Sequence, residues 1–262
     1  MNNTKSIALI NKYRGQIMGA AALWVVIYHT WYRQFSPETV PKILYYIELA
    51  IYKLGYFGVS IFFLLSGIGL SYAIGKYSLK EFWLRRFRRL AYPVLIAAAV
   101  LAIMEGWSFP HYLFAVTGIG FFIEKSYFLW FISAISAAYL VFPLYWRFFS
   151  RSRSKLRFTV LFIAALYLGS ILVPKADNAI ASSLYKLISN SCAPPFVLGV
   201  FFGWAQQNGG LKLSRRVFNT AAFISAAASV ALGWLYKIHS IYIFGFFPEL
   251  LAAFGFTALL AE

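Results

Sequence analysis

The chain is poor in the residues on which most protein chemistry depends. Its 262 residues include one cysteine, three histidines and eight acidic residues. The lone Cys192 excludes an intramolecular disulfide and a cysteine metal cluster. No zinc-ligand spacing, phosphate-binding glycine loop, dinucleotide fingerprint or nucleophile elbow occurs in the sequence. Charged residues are only 12% of the chain, too few to give the helices of a soluble domain their polar faces. There is also no internal repeat, no low-complexity tract and no separate soluble domain.

Apolar sequence is what the chain has in abundance: 61% of residues are hydrophobic and 20% are aromatic. Long apolar runs place it in the membrane class, with lipids as its immediate partners. The formal net charge of +16 does not indicate a nucleic-acid partner. The basic residues sit in short loops between apolar runs, where orientation in a membrane already requires them.

The stretch Phe57–Pro93 organises the rest. An apolar run from Gly55 to Gly75 ends in a basic block of Lys76, Lys80, Arg85, Arg86, Arg88 and Arg89, opposed only by Glu81, and Pro93 opens the next apolar run. Eight candidate spans follow, at roughly 13–32, 55–75, 91–107, 127–148, 157–173, 187–205, 217–236 and 241–261. The first is a retained span and not a signal peptide, because no cleavage site follows it before Trp31–Arg33. With this spacing, 17 of the 24 lysines and arginines fall in alternate, inner segments. The outer ones are Arg33, Lys42, Lys53, Lys125, Lys175, Lys186 and Lys237. The expectation is a single all-α membrane domain over residues 1–262, a polytopic bundle of about eight transmembrane helices with both termini inside. Residues 33–54 are expected to lie along the interface, and 106–126 to be re-entrant or interfacial. Gly199 and Gly203 form a GxxxG, read as close packing within the chain.

Three sets of residues are candidates for chemistry. His29 stands near the outer end of the first span and is either a general base, buried near the outer leaflet, or a histidine satisfied by interfacial water. His111 and His239 fall in outer segments and are weaker candidates. The pairs Arg85–Arg88 and Arg86–Arg89 each share a helix face and either clamp phosphate or serve only to orient the chain. Glu249 in FFPELLAAFG either orients a partner inside the bundle or reaches water from the outer leaflet.

Four segments in order then point to a family. They are GAAALWVVIYHT with His29, FGVSIFFLLSGIGL with Ser66 and Gly67, FWLRRFRRLAYP, and YFLWFISAISAAYLVFPLYW with Trp130 and Pro143. APPFVLGVFFG is a weaker fifth. The ordered set resembles the membrane acyltransferase-3 family, integral-membrane O-acyltransferases of bacterial surface glycans. The resemblance implies a multi-pass protein of the bacterial plasma membrane. It would move an acyl group, most often acetyl, from cytosolic acyl-CoA to a hydroxyl of a cell-surface or polyprenyl-linked glycan. It places the catalytic histidine on His29 and the coenzyme-binding arginines within Arg85, Arg86, Arg88 and Arg89, with Arg86 and Arg89 matching best.

Two departures accompany it. The family's basic residue eleven positions before the histidine is Met18 here. Arg14 is the nearest substitute, one turn nearer the cytosol and about 60° off the His29 direction. Relatives also continue through about two more spans, so the resemblance implies a chain lacking its last helices. The alternatives are a non-enzymatic transporter or flippase of a lipid-linked glycan, and an inactive fragment.

Overall fold

A computed structural model describes residues 5–30, 35–123, 130–172, 179–188, 192–209, 214–239 and 246–261. Arg33, Lys125, Lys175, Lys212 and Glu262 lie outside the described residues. All regular structure among those described is helical. The helices are α1 (Lys5–Lys12), α2 (Arg14–Thr30), α3 (Lys42–Leu54), α4 (Phe57–Ser71), α5 (Leu79–Glu105), α6 (Phe109–Thr117), α7 (Gly120–Ile123), α8 (Trp130–Arg151), α9 (Lys155–Leu172), α10 (Ala179–Ile188), α11 (Ala193–Gln207), α12 (Arg215–His239) and α13 (Phe246–Ala261). They form two compact units, one of residues 1–72 and 190–262, the other of residues 73–189.

Four described helices are long and apolar enough to cross a membrane: α5, α8, α9 and the Arg215–Leu235 stretch of α12. A fifth candidate is α3 with α4, bent by 50° where they meet. The other expected spans are helical but shorter. Helix α2 has 17 residues, α11 has 15 and α13 has 16, or about 23–26 Å at 1.5 Å per residue. That falls short of a hydrocarbon core of about 30 Å.

In the first unit α4 is the central helix. Every residue from Phe57 to Ser71 except Phe62 is buried, as expected of a helix that is apolar all round. Helices α2, α11 and α13 pack around it, and α12 packs on α13. Glycines set the spacing. A Cβ on Gly67 would collide with the carbonyl oxygen of Phe196, and one on Gly199 with that of Leu64. A Cβ on Gly203 would strike Ser71 Oγ and come within 2.8 Å of the Ile68 carbonyl. The GxxxG therefore brings α11 against α4 within the chain, as small-residue packing in membranes does.

A methyl group at Gly67 or Gly199 meets backbone, which cannot swing aside, and overpacking of this kind costs about 1–3 kcal/mol. Gly67→Ala and Gly199→Ala are expected to lower the unfolding temperature of the purified protein. Gly15 and Gly19 have open space at their Cβ positions. Gly15→Ala and Gly19→Ala are expected to leave the unfolding temperature unchanged or raise it, since alanine is the better helix former. Equal responses at the four sites in a thermal melt would remove the close-packing account.

In the second unit the span expected at 91–107 is the apolar part of a longer helix, α5, which starts at Leu79 and carries Pro93 in its interior. Ser78 caps the helix by accepting from the Glu81 amide at 3.3 Å, the S-x-x-E start signal of a helix. Its 27 residues extend about 40 Å, roughly 10 Å more than the hydrocarbon core requires. The basic residues lie in its first half, so the pairs Arg85–Arg88 and Arg86–Arg89 do share helix faces, as their spacing predicts. Trp83 Nε1 donates to the Tyr139 carbonyl at 3.1 Å, and Phe82 stacks on Phe142 at 5.9 Å, fixing this half of α5 on α8.

The expected interfacial segments take short helical forms. Helix α3 buries Glu48, Leu49 and Leu54 while Ile43, Leu44, Tyr46, Ile47 and Ile51 stay exposed. Residues 109–123 form α6 and α7, of nine and four residues, with Gly118 at φ +72° between them. Neither can span.

Candidate functional site

His29 is in the last turn of α2. The rest of the protein does not cover it: the residue is exposed at the surface of the helices. Its position is nevertheless well defined, because the helix that carries it is clamped. Trp24 Nε1 donates to the Ile51 carbonyl at 2.9 Å. The Trp24 ring meets Phe256 edge-on at 5.1 Å and Phe57 at 6.2 Å. Gly58 lets α4 approach so closely that a Cβ there would be 2.7 Å from the Ala21 carbonyl. Gly55 does the same at the bend: a Cβ would run into Tyr28 Cβ and sit 3.0 Å from the Trp24 carbonyl. The Tyr28 ring then lies edge-on to His29 at 5.0 Å, with Tyr52 at 6.2 Å and Tyr56 at 6.4 Å. An imidazole at the edge of an aromatic cluster, open on its other side, can exchange a proton with a group from outside the protein.

Arg14 is at the opposite end of α2, about 22 Å away along the helix axis. Its guanidinium lies across Gly69, where an added Cβ would clash with Cζ, Nη1 and Nη2. The SGIG sequence of α4 thus uses Gly67 to admit α11 and Gly69 to admit Arg14. Met18 is partly buried on the same helix. The structure does not bring Arg14 to His29.

The basic surface of α5 is differentiated. Arg85 donates to Glu81 Oε1 from Nη2 at 2.8 Å and from Nε at 3.1 Å. It also stacks over Tyr77 at 4.3 Å. Arg86 packs over the Phe82 ring at 5.7 Å. Arg88 and Arg89 are exposed. Glu81 therefore offsets the charge of Arg85 first.

The other histidines differ from His29. His111 is exposed on α6 beside Trp107 at 4.7 Å. His239 ends α12, and its side chain lies outside the described residues. Glu249 is buried in the first turn of α13, with Ser60 Oγ 3.5 Å from its Oε2. Of the two readings of that carboxylate, the one inside the bundle holds. Sequence reading overlooked Glu48, which is buried on α3 and accepts from the Phe35 amide at 3.1 Å. The available signal was an acidic residue on the apolar face of an amphipathic helix.

A family model described as an acyltransferase domain, acyltransferase-3, matches residues 19–261. The chain belongs to the acyltransferase-3 family. Comparison with curated proteins and with solved structures gives no match. The family match takes in His29 and the Arg85–Arg89 surface but begins after Arg14 and Met18. With its apolar helices, this acyltransferase-3 member is a helical membrane protein of an acyltransferase family.

Proposed function

We propose that the protein transfers an acyl group, most simply acetyl, from cytosolic acyl-CoA to a hydroxyl of a cell-surface or exported glycan at a bacterial plasma membrane. The observation that carries this reading is the family match across residues 19–261. The arginines of α5, chiefly Arg86 and Arg89, receive the coenzyme phosphates through charge-assisted hydrogen bonds. His29, as neutral imidazole, takes the acceptor hydroxyl proton while that oxygen attacks the thioester carbonyl and the coenzyme A thiolate departs. An acyl-histidine intermediate would use the same residue as nucleophile. Arg14 supplies positive charge at the inner end of α2 where relatives place it nearer the histidine. The deciding assay supplies purified protein with radiolabelled acetyl-CoA and a polyprenyl-linked glycan. Label on the glycan, with free coenzyme A released in equal amount, is the expected result. Glycan translocation without label transfer would favour the lipid-linked glycan transporter instead.

This reading requires residues 76–90 to face the cytosol and both termini to lie inside, as the alternating charge predicts. Cys192, the only native cysteine, is buried, so it contributes little background to thiol labelling. Cysteines introduced at exposed positions 78–80 are expected to resist an impermeant maleimide in intact cells and to react after permeabilisation. Labelling from outside would reverse the orientation.

A further inference from the structure

The turn between α8 and α9 carries a second basic surface, built differently from that of α5. Arg147 and Arg151 lie in the last turns of α8, Arg153 in the three-residue turn, and Arg157 in the first turn of α9. All four are exposed. The sequence contains no acidic residue from Lys125 to Lys175. Among the described residues none of the four makes an ion pair, whereas Arg85 on α5 has Glu81.

The turn itself is firmly constructed. Lys155 Nζ donates to the carbonyls of Ser150 at 3.0 Å and Ser152 at 2.6 Å, so this cation satisfies the end of α8. The Ser152 amide reaches the Phe148 and Phe149 carbonyls at 3.1 and 3.2 Å. Phe149 is fully buried and packs on Phe158 at 6.0 Å and Tyr145 at 5.8 Å, with Phe162 beyond at 5.1 Å from Tyr145. The lysine is committed to the turn, while the arginines project from it.

An apolar collar adjoins the arginines. Leu144, Phe148, Leu156 and Val160 are each more than half exposed. They lie within about one helical turn, roughly 5 Å, of an arginine on their own helix. Exposed apolar side chains continue from this collar along α8 and α9, so the arginines stand where a lipid-facing surface ends. A phospholipid needs both parts, with acyl chains against the apolar side chains and headgroup phosphate on planar guanidinium forks.

We propose that Arg147, Arg151, Arg153 and Arg157 form a binding site for the headgroup of an anionic phospholipid. The site is independent of the acyl-transfer reading. The test uses the full chain in neutral detergent, with lipids added singly. Phosphatidylglycerol and cardiolipin are expected to raise the unfolding temperature and to stay bound in native mass spectra, and phosphatidylcholine to do neither. Retention is expected to fall as salt rises. The triple variant R151Q/R153Q/R157Q is expected to hold anionic lipid roughly a hundredfold more weakly. If that variant does not fold, R151K/R153K/R157K serves in its place and is expected to lose part of the retention, since an ammonium lacks the two-pronged fork. Equal retention of phosphatidylcholine, or retention unchanged by salt or by the substitutions, would overturn the proposal. So would a temperature shift reproduced in full by inorganic pyrophosphate, which would make the site one for soluble phosphate.

Discussion

His29→Ala is expected to remove acyl transfer while leaving insertion and acyl-CoA binding near the wild-type level. A positioned general base contributes about 10²–10⁴-fold to a rate, so turnover should fall by that factor. The substitution is well suited to the question because His29 is exposed at the end of α2. Truncating it opens no cavity. Among the described residues its ring packing is the edge-on contact with Tyr28, and such contacts are worth about 0.5–1.5 kcal/mol. The clamp through Trp24 and the glycines of α3–α4 does not involve the imidazole. His29→Gln keeps hydrogen bonding but cannot accept a proton at neutral pH, so it should be as inactive as alanine. His111→Ala and His239→Ala should retain activity. Initial rates with saturating acetyl-CoA and an unfolding curve for each variant are the measurements. Near wild-type turnover by His29→Gln would end the general-base assignment and favour a transporter.

Replacing Arg86 and Arg89 together with glutamine is expected to raise the KM for acyl-CoA by at least about tenfold, with a smaller change in kcat. A hydrogen bond to a charged group contributes about 1.5–3 kcal/mol, and two are removed. The Glu81–Arg85 pair refines the expectation. Arg85 already pairs with Glu81 Oε1 at 2.8 Å, so Arg85→Gln should cost less than Arg89→Gln. Arg215→Gln with Arg216→Gln, at the exposed start of α12, is the charge-matched control and should leave KM alone. If both double variants behave alike in a coenzyme A release assay, the α5 arginines only orient the chain.

Much of this was legible in the sequence because its causes are local. The capping box Ser78–Glu81 starts α5, and the Glu81–Arg85 contact follows from i, i+4 spacing. The basic positions flanking apolar runs, and His29 at the end of one, need only counting. Pro93 opens the apolar run, as the sequence shows, but the helix that carries it starts at Leu79. Within a membrane helix the freed carbonyl can be satisfied by neighbours, so the proline is tolerated in the interior. The exposure of His29 was not legible, since depth along a span says nothing about which face of the helix its neighbours cover.

The sequence by itself determined that this chain is helical and apolar, where its charge lies, and which family its ordered motifs resemble. In hydrocarbon every backbone group must be satisfied within its own segment, so a long apolar run is committed to helix before it meets a partner. Only the tertiary structure decided which helix is central. Helices α4 and α9 are both apolar runs, yet α4 is buried almost throughout and α9 buries only Thr159. Lipid tails are as apolar as leucine, so hydropathy cannot separate a face that meets protein from one that meets lipid. That separation rests on contacts distant in sequence: Gly67 under Phe196, Gly199 under Leu64, Arg14 across Gly69, and Ser60 beside Glu249. Each depends on the shape of two surfaces meeting, which no single stretch of the chain contains.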